Sequence, residues 1–191
     1  MLTDQRPLFD IPPDIAWFNC ASRTPLLKAT QAAGHAGIAS RVQPWIMDSA
    51  ALHDQAEHIR ALVATASRNL GIARGQTIVV LEDQFPSNVF VWMQKAADAG
   101  GRVVTVPRPA DADWTAAVLD RLDGDTAIAA LPPCHWIDGT RIDLEAVGAR
   151  CRDLGVALVV DATQWVGAAP FDVARVRPDF LVVAAYKWLF C

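Results

Sequence analysis

Two apolar, β-branched runs in this chain each lead into an ionisable residue. Val159-Val160 runs into Asp161, and Phe180-Leu181-Val182-Val183-Ala184-Ala185 runs through Tyr186 into Lys187. In an open α/β sheet, ligands bind beyond the carboxyl ends of the strands. A carboxylate and an amine delivered to that edge suit a cofactor that needs both. Pyridoxal phosphate (PLP) is such a group: its aldehyde condenses with a lysine and its ring nitrogen needs an anionic partner. Gln164, three residues past the acid, is spaced to hydrogen-bond the ring's phenolic oxygen. Tyr186 is spaced to hold the phosphate or assist proton transfer. Taken singly, these residues also suit blander roles, since an acid at a strand end often caps a helix and a lysine there is usually solvated. It is the pair, at two strand ends, that points to chemistry.

The elements that would position the pair alternate along the chain. Residues 1–25 are rich in proline and read as irregular. A helix follows Pro25, and a second spans about Asp48 to Leu70, with Leu52, Ile59, Leu62, Val63 and Leu70 on roughly one face. Gly71 and Gly75 break it. Strands are expected at Thr77–Leu81, Arg102–Val106, Thr126–Leu131, Val156–Val160 and Phe180–Ala185. Helices are expected at Ser87–Ala99, Asp113–Leu122 and Asp143–Leu154, the last ended by Gly155 as a C′ glycine. Continuous apolar strands imply burial on both faces. The alternation implies an α/β fold, a mostly parallel sheet covered by helices. His135-Trp136 follows the third strand, so it reaches the ligand edge and is a candidate substrate-pocket pair; a packed Trp and a hydrogen-bonded His fit equally well.

Bulk composition narrows the classes. The 191 residues suffice for one sizeable domain or a domain plus a small appendage. A hydrophobic share of 52% against 20% charged suits a buried core rather than disorder. The net charge of −4 lacks the basic footprint of a nucleic-acid binder. No apolar run approaches the ~20 residues of a membrane helix. The acid and prolines near the N-terminus do not suit a signal peptide, so a cytoplasmic location is expected. Cys20, Cys134, Cys151 and Cys191 form no C-x-x-C pair, so no metal site is expected and the thiols read as small buried hydrophobes. No G-x-G-x-x-G, P-loop or G-x-S-x-G motif is present.

Several motifs in order resemble the class V aminotransferase family of PLP enzymes, which includes kynureninases, cysteine desulfurases and related lyases. They are Trp17-Phe18-Asn19-Cys20-Ala21-Ser22; Gly75-Gln76-Thr77-Ile78-Val79-Val80 with Gln84-Phe85-Pro86-Ser87-Asn88; Asp138-Gly139-Thr140-Arg141-Ile142-Asp143-Leu144; Asp161-Ala162-Thr163-Gln164; Asp179-Phe180; and Tyr186-Lys187-Trp188-Leu189. The resemblance implies the large domain of fold-type I PLP-dependent transferases, in incomplete form. By that resemblance residues 1–47 form an N-terminal segment with the first helix, and 48–191 a partial PLP-binding large domain. It implies that Lys187 forms a Schiff base with PLP, that Asp161 pairs with the ring nitrogen and Gln164 with the ring oxygen, and that Phe85 stacks on the ring. It further implies an amino-acid substrate, transferase or carbon–sulfur lyase chemistry, and a homodimer.

The chain departs from the family pattern in three places. Arg60 to Leu70 runs straight into Gly75, where the family has a turn that binds the cofactor phosphate; Thr65 and Ser67 read as mid-helix. Ala185 stands where Ser or Thr often adds a phosphate contact. The family's C-terminal small domain, with its substrate-carboxylate arginine, is expected to be absent, leaving Arg23 and Arg141 as the candidates for that role. These departures raise an alternative: a truncated, catalytically inactive relative acting as an interaction subunit or a degenerate product.

Overall fold

The computed structural model describes residues 6–16, 25–40, 42, 63–184 and 187–188. The chain divides into two compact units, Met1–Leu52 and His53–Cys191. In the first, a 3-10 turn over Arg6–Leu8 precedes helix α1, Lys28–Ser40. The Arg6 guanidinium donates to the carbonyls of Pro12 and Ile15, and Phe9 bridges Leu27 in antiparallel fashion. Arg23 lies outside the described residues.

The second unit carries the sheet. Strands β1 (Thr77–Leu81), β2 (Arg102–Val106), β3 (Thr126–Leu131), β4 (Ala157–Asp161) and β5 (Phe180–Val182) pair in the order β2-β1-β3-β4-β5. Every pairing is parallel. The fold is therefore α/β with a parallel sheet, as the alternation implied. The chain leaves β1 for β2 on one side and returns past β1 to reach β3. That reversal creates a switch point between β1 and β3, where the following loops part and leave a crevice.

Alternation within the strands builds two cores. Val79 and Leu81, Ala129 and Leu131, and Leu158 and Val160 face one side. There they meet α4 (Trp114–Leu119), α5 (Leu144–Leu154) and α6 (Val173–Val176). Ile78, Val80, Ile128, Ala130 and Val159 face the other, against helical residues 63–69 (α2) and α3 (Phe90–Ala99). Trp114 on the first face and Trp92 on the second are fully buried. An aromatic of this size covers about 150–250 Å², worth roughly 4–6 kcal/mol at about 25 cal/mol per Å².

The helix starts follow from local chemistry. Asp113, Asp143 and Asp172 cap α4, α5 and α6 by accepting backbone N–H groups of the first turn at 2.9–3.2 Å. Gly155, at φ +72°, ends α5 as expected. Its N–H meets Arg152 O at 3.2 Å and the Val156 N–H meets Cys151 O at 2.8 Å, a Schellman closure.

Several boundaries differ from the sequence reading. Val156 is used in that closure, so β4 begins at Ala157 and Asp161 is its last residue rather than the one beyond. The expected Ser87–Ala99 helix is a 3-10 turn over Pro86–Asn88 followed by α3. The expected Asp113–Leu122 helix is shorter, because Asp113 is its cap and it ends at Leu119. Strand β5 stops at Val182, since the Ala184 N–H turns to the Thr163 hydroxyl at 3.0 Å. The four-residue α6 was not anticipated. Most of the expected Asp48–Leu70 helix lies outside the described residues; 63–69 are helical.

Candidate active site

The loops beyond β1, β3, β4 and β5 converge at the switch point. A narrow cleft there is lined by Gln84, Phe85 and Asn88 after β1, by Pro132, Cys134 and Trp136 after β3, by Asp161, Thr163 and Gln164 at the end of β4, and by Lys187. Its free space is about 20 Å³, on the scale of a single water.

Asp161 is 7% exposed, so it is not a solvated loop acid. Unlike Asp113, Asp143 and Asp172, it caps no helix. Its Oδ1 accepts from the Thr163 N–H at 3.1 Å, and Thr163 Oγ1 in turn accepts from the Ala184 N–H. The acid is thereby tied to the segment that leads toward Lys187. Burial pushes its carboxyl above the usual carboxylate range, while the Thr163 hydrogen bonds and the Lys187 charge pull it back. Lys187 shows the complementary shift: burial lowers its amine below the ordinary lysine value, and Asp161 opposes this. Lys187 Nζ lies over the Phe85 ring, 5.5 Å from its centroid. Trp136 meets Phe85 edge-on, with centroids 5.4 Å apart, and donates from Nε1 to Asp83 O at 2.6 Å.

Gln164 accepts at Oε1 from the Trp188 indole at 3.3 Å. An indole N–H is a donor only, so this contact fixes the amide and leaves its NH₂ to donate. Gly167 holds the same segment from the other side. It has φ +96°, and a Cβ there would lie 2.5 Å from Trp188 O. Gly167→Ala is therefore expected to displace the Lys187–Trp188 turn and to destabilise by about 1–3 kcal/mol. Thermal unfolding measures this; an unchanged Tm would show that the close approach is dispensable.

His135 and Trp136 go different ways. Trp136 reaches the cleft. His135 is fully buried, absent from the cleft lining, and stacks on Trp114 with centroids 5.2 Å apart. Its Nε2 meets Glu82 O at 3.0 Å, which leaves Nδ1 to accept from Arg108 at 3.4 Å. Arg108 also pairs with Asp138, whose carboxyl is lowered to about 2 by its Thr140 hydrogen bonds first and by Arg108 next. His135 thus braces the loops and is not among the residues that line the cleft. Arg141 lies over Trp165, 5.2 Å from the ring centroid, in a separate groove of about 450 Å³ and not in the cleft. Tyr186 lies outside the described residues.

Among the cleft residues that carried no role in the sequence reading are Gln84, Cys134 and Asn88. Gln84 is buried and fully engaged: Oε1 accepts from the Leu81 N–H, and Nε2 donates to Asn88 O and Ala130 O at 3.0–3.1 Å. It ties the loop after β1 to β3. Cys134 is buried with its thiol pushed up, chiefly by burial. Asn88 is buried and accepts at Oδ1 from Trp92 Nε1 at 3.0 Å. Among the described residues, no group of three or more His, Cys, Asp or Glu is placed to hold a metal, and no helix is long and apolar enough to cross a membrane. Cys134 and Cys151 are free buried thiols, the latter pushed up to about 12 mainly by burial; Cys20 and Cys191 lie outside the described residues.

The family model for aminotransferase class-V matches residues 55–190. The chain belongs to the aminotransferase class-V family. A probable cysteine desulfurase of Vibrio cholerae is 28% identical over 127 residues, which cover 66% of this chain and 31% of that protein. The cysteine desulfurase CsdA of Escherichia coli superposes with a TM-score of 0.57 at 24% identity, over 66% of this chain and 32% of that one. A variant of C-DES, solved with glycine covalently linked to its PLP cofactor, superposes with a TM-score of 0.60 at 20% identity, over 97% of this chain and 56% of that one. These likenesses show the fold. The chain spans about a third of the length of the curated relatives it matches.

Class-V enzymes use PLP, and the cleft residues of this family member fit that group in three respects. The donor set holds an amine and a buried carboxylate side by side. An aromatic face lies under the amine. A buried amide nitrogen, Asn88 Nδ2, has no hydrogen-bond partner among the described residues.

Proposed function

We propose that this chain is a PLP-dependent enzyme of class-V type that acts on an amino-acid substrate, with transferase or carbon–sulfur lyase chemistry. The observation that carries the reading is the half-buried Lys187 amine sharing one cleft with the buried Asp161 carboxylate above the Phe85 face. The names of the relatives, cysteine desulfurases and a cystine C–S lyase, favour a sulfur-containing amino acid. A homodimer is part of the proposal.

When bound, PLP supplies an electron sink for charge developing on the substrate carbon. Asp161 would hold a proton on the ring nitrogen, a role its dry position strengthens because opposite charges attract more there than in water. Gln164 would donate to the ring's phenolic oxygen, and Phe85 would present a flat apolar face to the ring. Lys187 would anchor the aldehyde carbon through Nζ. Its lowered proton affinity keeps more of the amine neutral, which suits both attack on a carbonyl and pick-up of a proton from the substrate carbon. Tyr186 completes the proposed cofactor contacts from sequence alone.

The test is addition of PLP followed by visible absorbance, borohydride reduction and peptide mapping. The expected result is a visible band with the reduced label on Lys187. No band would favour the inactive-relative alternative and sink the enzyme reading.

A further inference from the structure

Three primary amides line the cleft, and two of them are held by an indole. Trp188 donates to Gln164 Oε1, and Trp92 donates to Asn88 Oδ1. Because an indole offers no acceptor, the amide oxygen must face it, and the orientation of the NH₂ group follows. For Gln164 a cofactor contact was already implied by the family motif. For Asn88 nothing implied one. Yet Asn88 is only 1% exposed, lines the cleft, and its Nδ2 has no partner among the described residues. The neighbouring Ser87 hydroxyl is likewise buried and unpartnered. Buried amide donors in native proteins are nearly always satisfied. A donor left open, on a residue that lines a ligand cleft and whose other end is fixed by a core tryptophan, marks the place of an acceptor that arrives with the ligand.

We infer that Asn88 is a positioning residue for the cofactor: its Nδ2, oriented by Trp92, donates to an oxygen acceptor of PLP. The inference rests on the proposed PLP reading and adds a second directional contact beside Gln164. The acceptor chemistry is an anionic oxygen, which PLP carries both on its ring and on its phosphate. The anchor is rigid, because Trp92 is fully buried between α3 and the sheet and Asn88 sits four residues before it. Gln84 fixes the backbone of the same turn by donating to Asn88 O at 3.1 Å. Side chain and backbone of Asn88 are thus both held before any ligand binds, so a contact made by Nδ2 costs little further ordering.

The experiment titrates PLP into the wild-type chain and into Asn88→Leu, reading the visible band for affinity and borohydride trapping for the site. Ligand-free thermal unfolding is measured alongside. Leucine is close to asparagine in volume and removes the open donor, but it also takes away the acceptor of the buried Trp92 indole, so the ligand-free Tm is expected to fall by several degrees. PLP affinity is expected to fall about tenfold or more, the scale of a hydrogen bond to a charged acceptor. Trapping at Lys187 is expected to persist at saturating PLP. A merely structural role would move the Tm in the same way but leave PLP affinity intact, so affinity is the deciding readout. Should Asn88→Leu fail to fold, Asn88→Asp decides by PLP affinity read against its own ligand-free Tm, because it keeps the acceptor for Trp92 and removes the amide donor while adding a buried carboxyl. Repeating the titration with pyridoxal separates the two acceptors. An effect confined to PLP assigns the phosphate, an equal effect on both assigns the ring oxygen, and either supports the inference. Wild-type affinity in the variant overturns it while leaving the Lys187 reading intact. A wild-type chain that takes no PLP at Lys187 overturns both.

Discussion

Lys187→Ala is expected to abolish covalent capture of PLP completely, with loss of the visible band and of any borohydride-fixed label. The chain makes this a clean measurement because it contains three lysines, Lys28, Lys95 and Lys187. Lys28 is exposed at the start of α1, and Lys95 is on α3, beside an open groove that has no contact with the cleft lining. Lys187 alone is held beside a buried carboxylate and over an aromatic face. Amines attack aldehydes only when neutral, and burial lowers the Lys187 proton affinity. The wild-type label is therefore expected on one peptide. In Lys187→Ala, Asp161 loses its counter-charge but keeps its Thr163 hydrogen bonds, so the fold is expected to persist and any remaining PLP to be held without a covalent bond. Label spread evenly over Lys28 and Lys95 in the wild type, or a visible band that survives in Lys187→Ala, would sink the assignment.

The parts of this cleft differ in how far they could be read in advance, and the reasons are physical. Strands β1, β2 and β3 stand at the expected bounds because each is a run of apolar or β-branched residues interrupted by glycine, proline or acid. The ends of β4 and β5 were read less well because long-range and side-chain hydrogen bonds decide them. Val156 is claimed by the α5 closure, and Ala184 by the hydroxyl of Thr163, twenty-one residues away. Asp161, Gln164, Phe85 and Lys187 could be brought to this edge from the sequence because each ends or follows a strand and the family motifs carry them. Cys134 and Asn88 could not, because their presence in the cleft depends on β3 lying next to β1, and sheet order is written in no local pattern. His135 and Trp136 are adjacent in sequence, yet one stacks on Trp114 and the other reaches Phe85. Local periodicity cannot separate two neighbours in an irregular turn; only the packing around Arg108, Asp138 and Glu82 does so.

Asp161→Asn is expected to make the ligand-free chain at least as stable as wild type at neutral pH while it weakens PLP binding about tenfold or more, the scale of a hydrogen bond to a charged group. The two effects have one cause. Burial raises the Asp161 carboxyl in the folded state above its unfolded value of about 3.9. Between those two values the folded chain binds more protons than the unfolded chain, so stability falls as pH rises through that window. Lys187 acts in the opposite sense. Its folded value is lowered, so between that value and about 10.4 the unfolded chain binds more protons and stability rises with pH. Asparagine keeps an acceptor for the Thr163 N–H and carries no charge to desolvate, so the acid-side dependence should flatten in the variant. A gain of about 1 kcal/mol would raise Tm by roughly 2–8 °C for a unit of this size. PLP reverses the balance, since a protonated ring nitrogen would give the buried carboxylate a cationic partner beyond Lys187. Melts of both proteins from pH 4 to 8, each with and without PLP, measure the whole argument. It fails if Asp161→Asn is destabilised across that range, or if PLP raises the Tm of the variant as much as that of the wild type.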